Sequence, residues 1–266
     1  MESPDKRGYE QKGSEYPIRL RSLHSSLRTG KPFTRQRETG HSRTETEEVC
    51  EMQKAEVVLN VLSRKSQEDK EYVFQRLYRN LYNPDMFKVA YAKIYSHEGN
   101  MTPGVDGETI DGFSEELIKG IIDDLKQERY YPQPVRRAYI PKKNRKKRPL
   151  GIPTFRDKMV QEVVRMILEA IYEPIFSENS HGFRPNRSCQ TALHQIKITG
   201  RGTSWVIEGD IKGFFDNIDH EILLSLLRKK IDDGRFIELI RRFLKAGYLE
   251  FKEVHRTLSG TPQGGI

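Results

Sequence analysis

Five prolines between residues 132 and 153 divide this chain into two stretches of different character. Pro132, Pro134, Pro141, Pro149 and Pro153 leave no room for a long helix, because each ring removes an N–H and clashes with the preceding turn. The segments VRRAYI and RPLGI between them read as short strands, with KKNRKK as the connection of a hairpin. That hairpin carries the strongest charge feature of the chain. Eight of the 13 residues from 136 to 148 are basic and none is acidic. On charge alone the run is either a solvated, self-repelling loop or a surface that neutralises phosphates.

Upstream of the prolines the apolar residues keep helical spacing. Val57, Val58, Val61 and Leu62 form one set, and Tyr72, Val73, Leu77, Tyr78 and Leu81 a second. Met86, Ala90, Tyr91, Ile94 and Tyr95 form a third. They predict three short helices joined by polar turns. After a turn at 100–107, Phe113, Leu117, Ile118, Ile121, Ile122 and Leu125 predict a fourth. Downstream, a long amphipathic helix is expected from about Asp157 to Tyr172, stopped by Pro174, and another over 188–199. SWVIEGDI (204–211) reads as a buried strand, 219–231 and 235–245 as helices, and LEFKEV (249–254) as an edge strand. Residues 1–48, rich in Ser, Thr, Gly, Arg and Glu without periodicity, read as a flexible charged tail.

Composition bounds the rest. The 266 residues suffice for a hydrophobic core, and 46 Lys and Arg against 38 Asp and Glu give a net charge of +8. That balance fits a polyanion partner and equally an ordinary basic protein. Cys50 and Cys189 lie far apart with no metal-spaced neighbour, so neither a disulfide framework nor a zinc site is expected. No stretch approaches the roughly 20 apolar residues of a membrane span, and the N-terminus has no apolar signal region. A soluble, intracellular protein with no membrane partner is the expectation.

Two further segments carry chemistry. In GDIKGFFDNIDH (209–220) an aspartate ends an apolar run, where burial without a cation or hydrogen-bond donors is expensive. Asp210 could offer oxygens to Mg²⁺ or cap the strand, and the residue alone leaves both open. Asp216 and Asp219 read as caps of the next helix. In SGTPQGG (259–265) glycines allow close backbone approach, a weak signal by itself. The chain then stops at Ile266 on a glycine-rich turn, which reads as a truncation.

Order settles what spacing leaves open. MTPGVDG, IPK with RPLGIPT and DKMVQE, SHGFRPNRS, DIKGFFD and GTPQGG follow one another over roughly residues 55–266. This series resembles the ordered motif blocks of the group II intron reverse transcriptase/maturase family. The resemblance implies an α+β fold: a helical N-terminal extension (49–130), fingers (131–203) and the first part of a palm (204–266) of a right-hand polymerase. It implies RNA-directed DNA polymerase activity with Mg²⁺, two-metal phosphoryl transfer, and binding of intron RNA to assist splicing. The implied partners are an RNA template, a DNA primer and deoxynucleoside triphosphates, in a prokaryotic cytoplasm.

The resemblance also implies residue roles. Asp210 matches a catalytic, metal-binding carboxylate, with the carbonyl of Ile211 on the same metal. Phe215 matches the aromatic packed under the incoming sugar, where a ring leaves no room for a 2′-hydroxyl. Lys142 and Arg148 match the grip on the triphosphate, and Gln263 the glutamine beside the nucleotide. Arg136, Arg137, Lys143, Arg145, Lys146 and Lys147 would meet nucleic acid, and Arg184 and Arg187 would lie against the template. The family's Tyr-x-Asp-Asp turn has no counterpart up to Ile266, so the chain alone is expected to bind RNA without polymerising. Apolar faces around Val206 and Phe214 would then be partly uncovered. Alternatives are an RNA-binding splicing cofactor without polymerase chemistry, or a related prokaryotic reverse transcriptase of a defence or diversity-generating system.

Overall fold

The structure, a computed structural model, describes residues 53–141, 147–257 and 259–261. The first helix, α1 (Ala55–Glu68), covers the first expected apolar set. Asp85 accepts from the N–H of Ala55 at 2.7 Å, which satisfies one of the free donors at the helix start.

The second expected helix is not one α-helix. It is a two-residue strand, β1 (Phe74–Gln75), followed by a 3₁₀ helix over Leu77–Tyr82, with Arg76 between them at φ 56°. Distant partners explain the departure. β1 pairs in parallel with residues 231–232, and Asp233 takes the N–H of Tyr78 at 2.8 Å. Backbone donors that an α-helix would use internally are held by a loop 155 residues away.

The next two helices follow the expected sets. α2 (Pro84–Tyr95) starts on Asn83, whose side chain accepts from Asp85, with proline at the first position. α3 (Glu115–Lys126) starts on Ser114 and buries Ile118, Ile121, Ile122 and Leu125. Phe113 lies just outside it, stacked on Tyr91 at 3.8 Å between ring centres.

The prolines then give way to the hairpin, β2 (Val135–Pro141) and β3 (Lys147–Ile152), antiparallel from Arg136↔Ile152 to Pro141↔Lys147. α4 (Phe155–Tyr172) follows, capped by Thr154, with Pro174 in the 3₁₀ turn after it. Its buried residues, among them Met159, Val163, Met166, Ile167 and Ile171, make it the centre of the core. α5 (Cys189–Thr199) has a Ser188–Thr191 capping box and buries none of its residues.

SWVIEGDI is the clearest correction. It forms no strand, and Trp205, Val206 and Ile207 are 90, 88 and 98 % exposed. A strand exists only where a neighbour takes its N–H and C=O groups, and among the described residues none pairs with it. Val206 and Phe214 do stand exposed.

α6 (His220–Arg228) ends sooner than expected, because the chain turns into β4 (Ile231–Asp232), the partner of β1. α7 (Gly234–Lys245) is capped by Asp233. The expected edge strand is a hairpin, β5 (Tyr248–Glu250) and β6 (Glu253–His255), turned by Phe251 and Lys252 at φ 48° and 70°. The larger sheet runs β3-β2-β5-β6, with β2 and β5 parallel. Helices α1 to α4 share one core with α6, α7 and β4, and the class is α+β as expected.

Candidate nucleotide and nucleic-acid site

The basic hairpin has two faces, because paired residues of an antiparallel ladder share a side and neighbours alternate. Arg136, Ile140 and Arg148 fall on one face, Arg137, Tyr139 and Lys147 on the other. Its base is buried and its far end exposed, so Lys147 and Arg148 stand in solvent. Lys142, Lys143, Arg145 and Lys146 lie outside the described residues, as does Gln263.

Arg136 and Arg137 lie against protein on opposite faces of the hairpin. Arg136 donates from Nε and Nη2 to the carbonyl of Pro103, at 3.0 and 2.8 Å. Lys158 of α4 donates to the neighbouring carbonyl of Thr102 at 2.9 Å. The MTPGVDG turn is thereby fastened to β2 and to the DKMVQE block. Arg137 lies over the ring of Tyr248 at 3.5 Å, and that ring stacks on His255. Tyr139 donates to Glu250. Asp157, buried at the start of α4, accepts from Tyr130, from Thr154 and from the N–H of Gln133. Burial raises the Asp157 carboxyl above its ordinary range, against the pull of those donors. Burial and the neighbouring carboxylate push the Tyr130 phenol up as well.

In the GFRPNRS segment Arg184 is engaged by protein. Arg184 donates to both oxygens of Glu173, at 2.9 to 3.1 Å, and to the carbonyls of Ser177 and Ser180. Its guanidinium is almost buried and holds the loop together, so it presents no free fork to a template strand. Phe183 and Asn186 turn this loop at φ 57° and 58°. Arg187 pairs with the exposed Glu178 at 2.5 Å, which holds the Glu178 carboxyl below its usual range. A pair on the surface can exchange its carboxylate for a phosphate at little cost.

Asp210 and Ile211 are exposed, followed by a turn through Gly213 at φ 62°. Phe215 is 43 % exposed and meets Phe214 edge to face at 5.4 Å. Asp219 caps α6, accepting from Ile222, as expected; Asp216 caps no helix. Residues 259–261 return to this turn. Thr261 donates to the carbonyl of Phe215 and Gly260 to that of Ile218, both at 2.8 Å. His220 Nε2 lies 2.7 Å from the carbonyl of Gly260. The backbones of the DIKGFFD and GTPQGG blocks therefore touch. His220 carried no pattern that sequence reasoning could use.

Among the described residues no three metal-ligating side chains converge. Asp210 nonetheless fits part of a Mg²⁺ shell: an exposed hard-oxygen donor beside a backbone carbonyl, for an ion that keeps waters and substrate phosphates.

The reverse transcriptase (RNA-dependent DNA polymerase) family matches residues 140–266. The chain is 60 % identical over 210 residues to the group II intron-encoded protein LtrA of Lactococcus lactis subsp. cremoris. That match covers 79 % of this chain and 35 % of the relative. The chain belongs to the group II intron reverse transcriptase/maturase family. Another relative, the uncharacterized 91 kDa protein in the cob intron of Schizosaccharomyces pombe, is 49 % identical over 214 residues, 79 % of this chain and 26 % of that protein. The chain thus spans about a third or less of the length of these relatives. A solved Cas6-RT-Cas1–Cas2 complex is similar over 71 % of this chain and 32 % of its own, with TM-score 0.45 and 23 % identity. No described helix is long and apolar enough to cross a membrane.

Proposed function

We propose that the chain supplies the fingers and the first palm carboxylate of an RNA-directed DNA polymerase that works with Mg²⁺, and that its basic surface binds intron RNA and assists splicing. Residues 49–130 are the helical extension, 131–203 the fingers and 204–266 the palm portion of this reading. The observation that carries it is the backbone meeting of Phe215 with Thr261. Family resemblance puts the blocks of these two residues on either side of one incoming nucleotide, and here they are hydrogen-bonded.

In this reading Asp210 and the carbonyl of Ile211 would hold the metal, whose positive charge would acidify the primer 3′-hydroxyl and offset charge on the phosphates. Phe215 excludes the 2′-hydroxyl by volume. Arg148 and Lys142 clamp the triphosphate, Arg148 through a planar fork and Lys142 as a point charge. Arg187, Lys147 and the basic residues of the hairpin connection neutralise RNA phosphates. The protein's contribution is positioning and fixed electrostatics.

The test is primer extension on an RNA template by the full-length protein, wild type and Asp210→Asn, beside RNA binding. Extension lost in the variant with RNA binding kept supports the reading. A wild type that binds intron RNA, promotes splicing and extends no primer is a splicing cofactor instead.

A further inference from the structure

We propose that His220 is a positioning residue of the nucleotide site: it holds residues 259–261 against the backbone of Phe215, and so sets where that aromatic ring stands. This rests on the polymerase reading above and adds a residue to it.

The ring is well placed for the task. His220 is the first residue of α6, whose start is fixed by Asp219 and whose Leu224 is fully buried. The imidazole is itself only 4 % exposed, yet Nε2 reaches the Gly260 carbonyl at 2.7 Å. A carbonyl only accepts, so Nε2 carries the proton. Without it a buried carbonyl would lose its partner, which costs more than an average hydrogen bond returns.

The segment it holds has no slack. Gly260 sits at φ 81°, and a Cβ there would stand 2.7 and 2.8 Å from the carbonyl oxygens of Asp216 and Phe215. The two backbones touch without a side chain between them. With Gly260 N–H on Ile218 and Thr261 N–H on Phe215, three hydrogen bonds join the blocks, and His220 makes the one from a side chain. A shift of residue 260 is therefore passed to the backbone of Phe215.

A histidine that merely fills space predicts something else, and two substitutions separate the cases. His220→Phe keeps ring volume and removes the donor; His220→Gln puts an amide N–H near the Nε2 position. The measurements are amide hydrogen exchange at Gly260 and Thr261, the KM for deoxynucleoside triphosphate, and template–primer affinity, all in the full-length enzyme. His220→Phe should raise exchange at both amides and raise the nucleotide KM by roughly three- to tenfold, the size of one net hydrogen bond. Template–primer affinity should stay unchanged, and His220→Gln should restore both readouts. Unaltered exchange or unaltered KM in an active His220→Phe enzyme overturns the proposal, and so does a glutamine variant as impaired as the phenylalanine one. A wild type that extends no primer fails at the earlier step and takes the polymerase reading down with it.

Discussion

Gly104 lies so close to Thr154 that a Cβ on it would stand 2.5 Å from the threonine Cα and 2.7 Å from its N. The neighbours are backbone, at the cap of α4, and have nowhere to move. Gly104→Ala should therefore cost about 1–3 kcal/mol, the usual range for overpacking. Gly120, exposed in α3 with nothing near its missing Cβ, is the control. Gly120→Ala should gain up to about 1 kcal/mol from helix propensity. Urea midpoints of both variants check the pair; equal midpoints would mean that the MTPGVDG turn is not seated against the α4 cap.

Arg184 should behave as a structural residue. Arg184→Lys keeps the charge but loses the fork shared between Glu173 and two carbonyls. A clear loss of stability is expected, because several charge-assisted bonds go at once. The salt dependence of RNA binding should not change. A flatter salt slope with unchanged stability would return Arg184 to the template strand.

What the sequence disclosed and what it hid have separate physical causes. The β2–β3 hairpin was legible because proline leaves few options and the apolar residues fix the base. Helices α3, α4 and α5 were legible because their caps are local: Ser114, Thr154 and Ser188 each meet a donor within the next few residues. Residues 77–82 were not, since spacing of three to four fits both helix types and Asp233 decides between them. Residues 204–211 were not, since an apolar run becomes a strand only beside another strand. Within the site, the partners of Arg184 were hidden because residue type does not reveal a carboxylate 11 positions upstream.

Asp157 gives a pH dependence of defined sign. Burial raises its folded value, so the folded state keeps its proton to higher pH than the unfolded state. Stability from this group is fully present below the ordinary carboxylate value and is lost as pH rises through the raised folded value. Over the pH range that starts at the ordinary carboxylate value and runs upward, the wild type should lose stability relative to Asp157→Asn, whose side chain does not titrate. Denaturant midpoints of the two proteins across that window provide the check. A wild type that gains on the variant with rising pH would show that the three donors outweigh burial.

The two faces of the hairpin should separate two functions. Lys147 pairs with Pro141 and Arg148 with Ile140, so these neighbours point to opposite sides. Replacing Lys142 and Arg148 together should raise the KM for the triphosphate more than it weakens template binding. Replacing Arg145, Lys146 and Lys147 should weaken RNA affinity and flatten its salt slope by about 0.7 per lost phosphate contact on single strands. If the two sets of variants behave alike, the hairpin is a diffuse positive patch.

Phe215 tests whether the turn after Asp210 is a nucleotide site or a piece of core. A core phenylalanine cut to valine would destabilise the fold, because a cavity remains. Phe215 is nearly half exposed and touches Phe214 only edge to face, so Phe215→Val should leave the unfolding midpoint close to that of wild type. Its effect should fall on substrate choice. The cleared volume admits a 2′-hydroxyl, so kcat/KM for ribonucleotides should rise relative to that for deoxyribonucleotides in the full-length polymerase. Asp210→Asn in the same protein should abolish extension with either sugar, because it removes a metal-ligand charge rather than a steric wall. The ratio of the two kcat/KM values, read beside stability, separates the outcomes. A lower midpoint with an unchanged ratio makes Phe215 a packing residue, and the sugar gate must then be sought elsewhere.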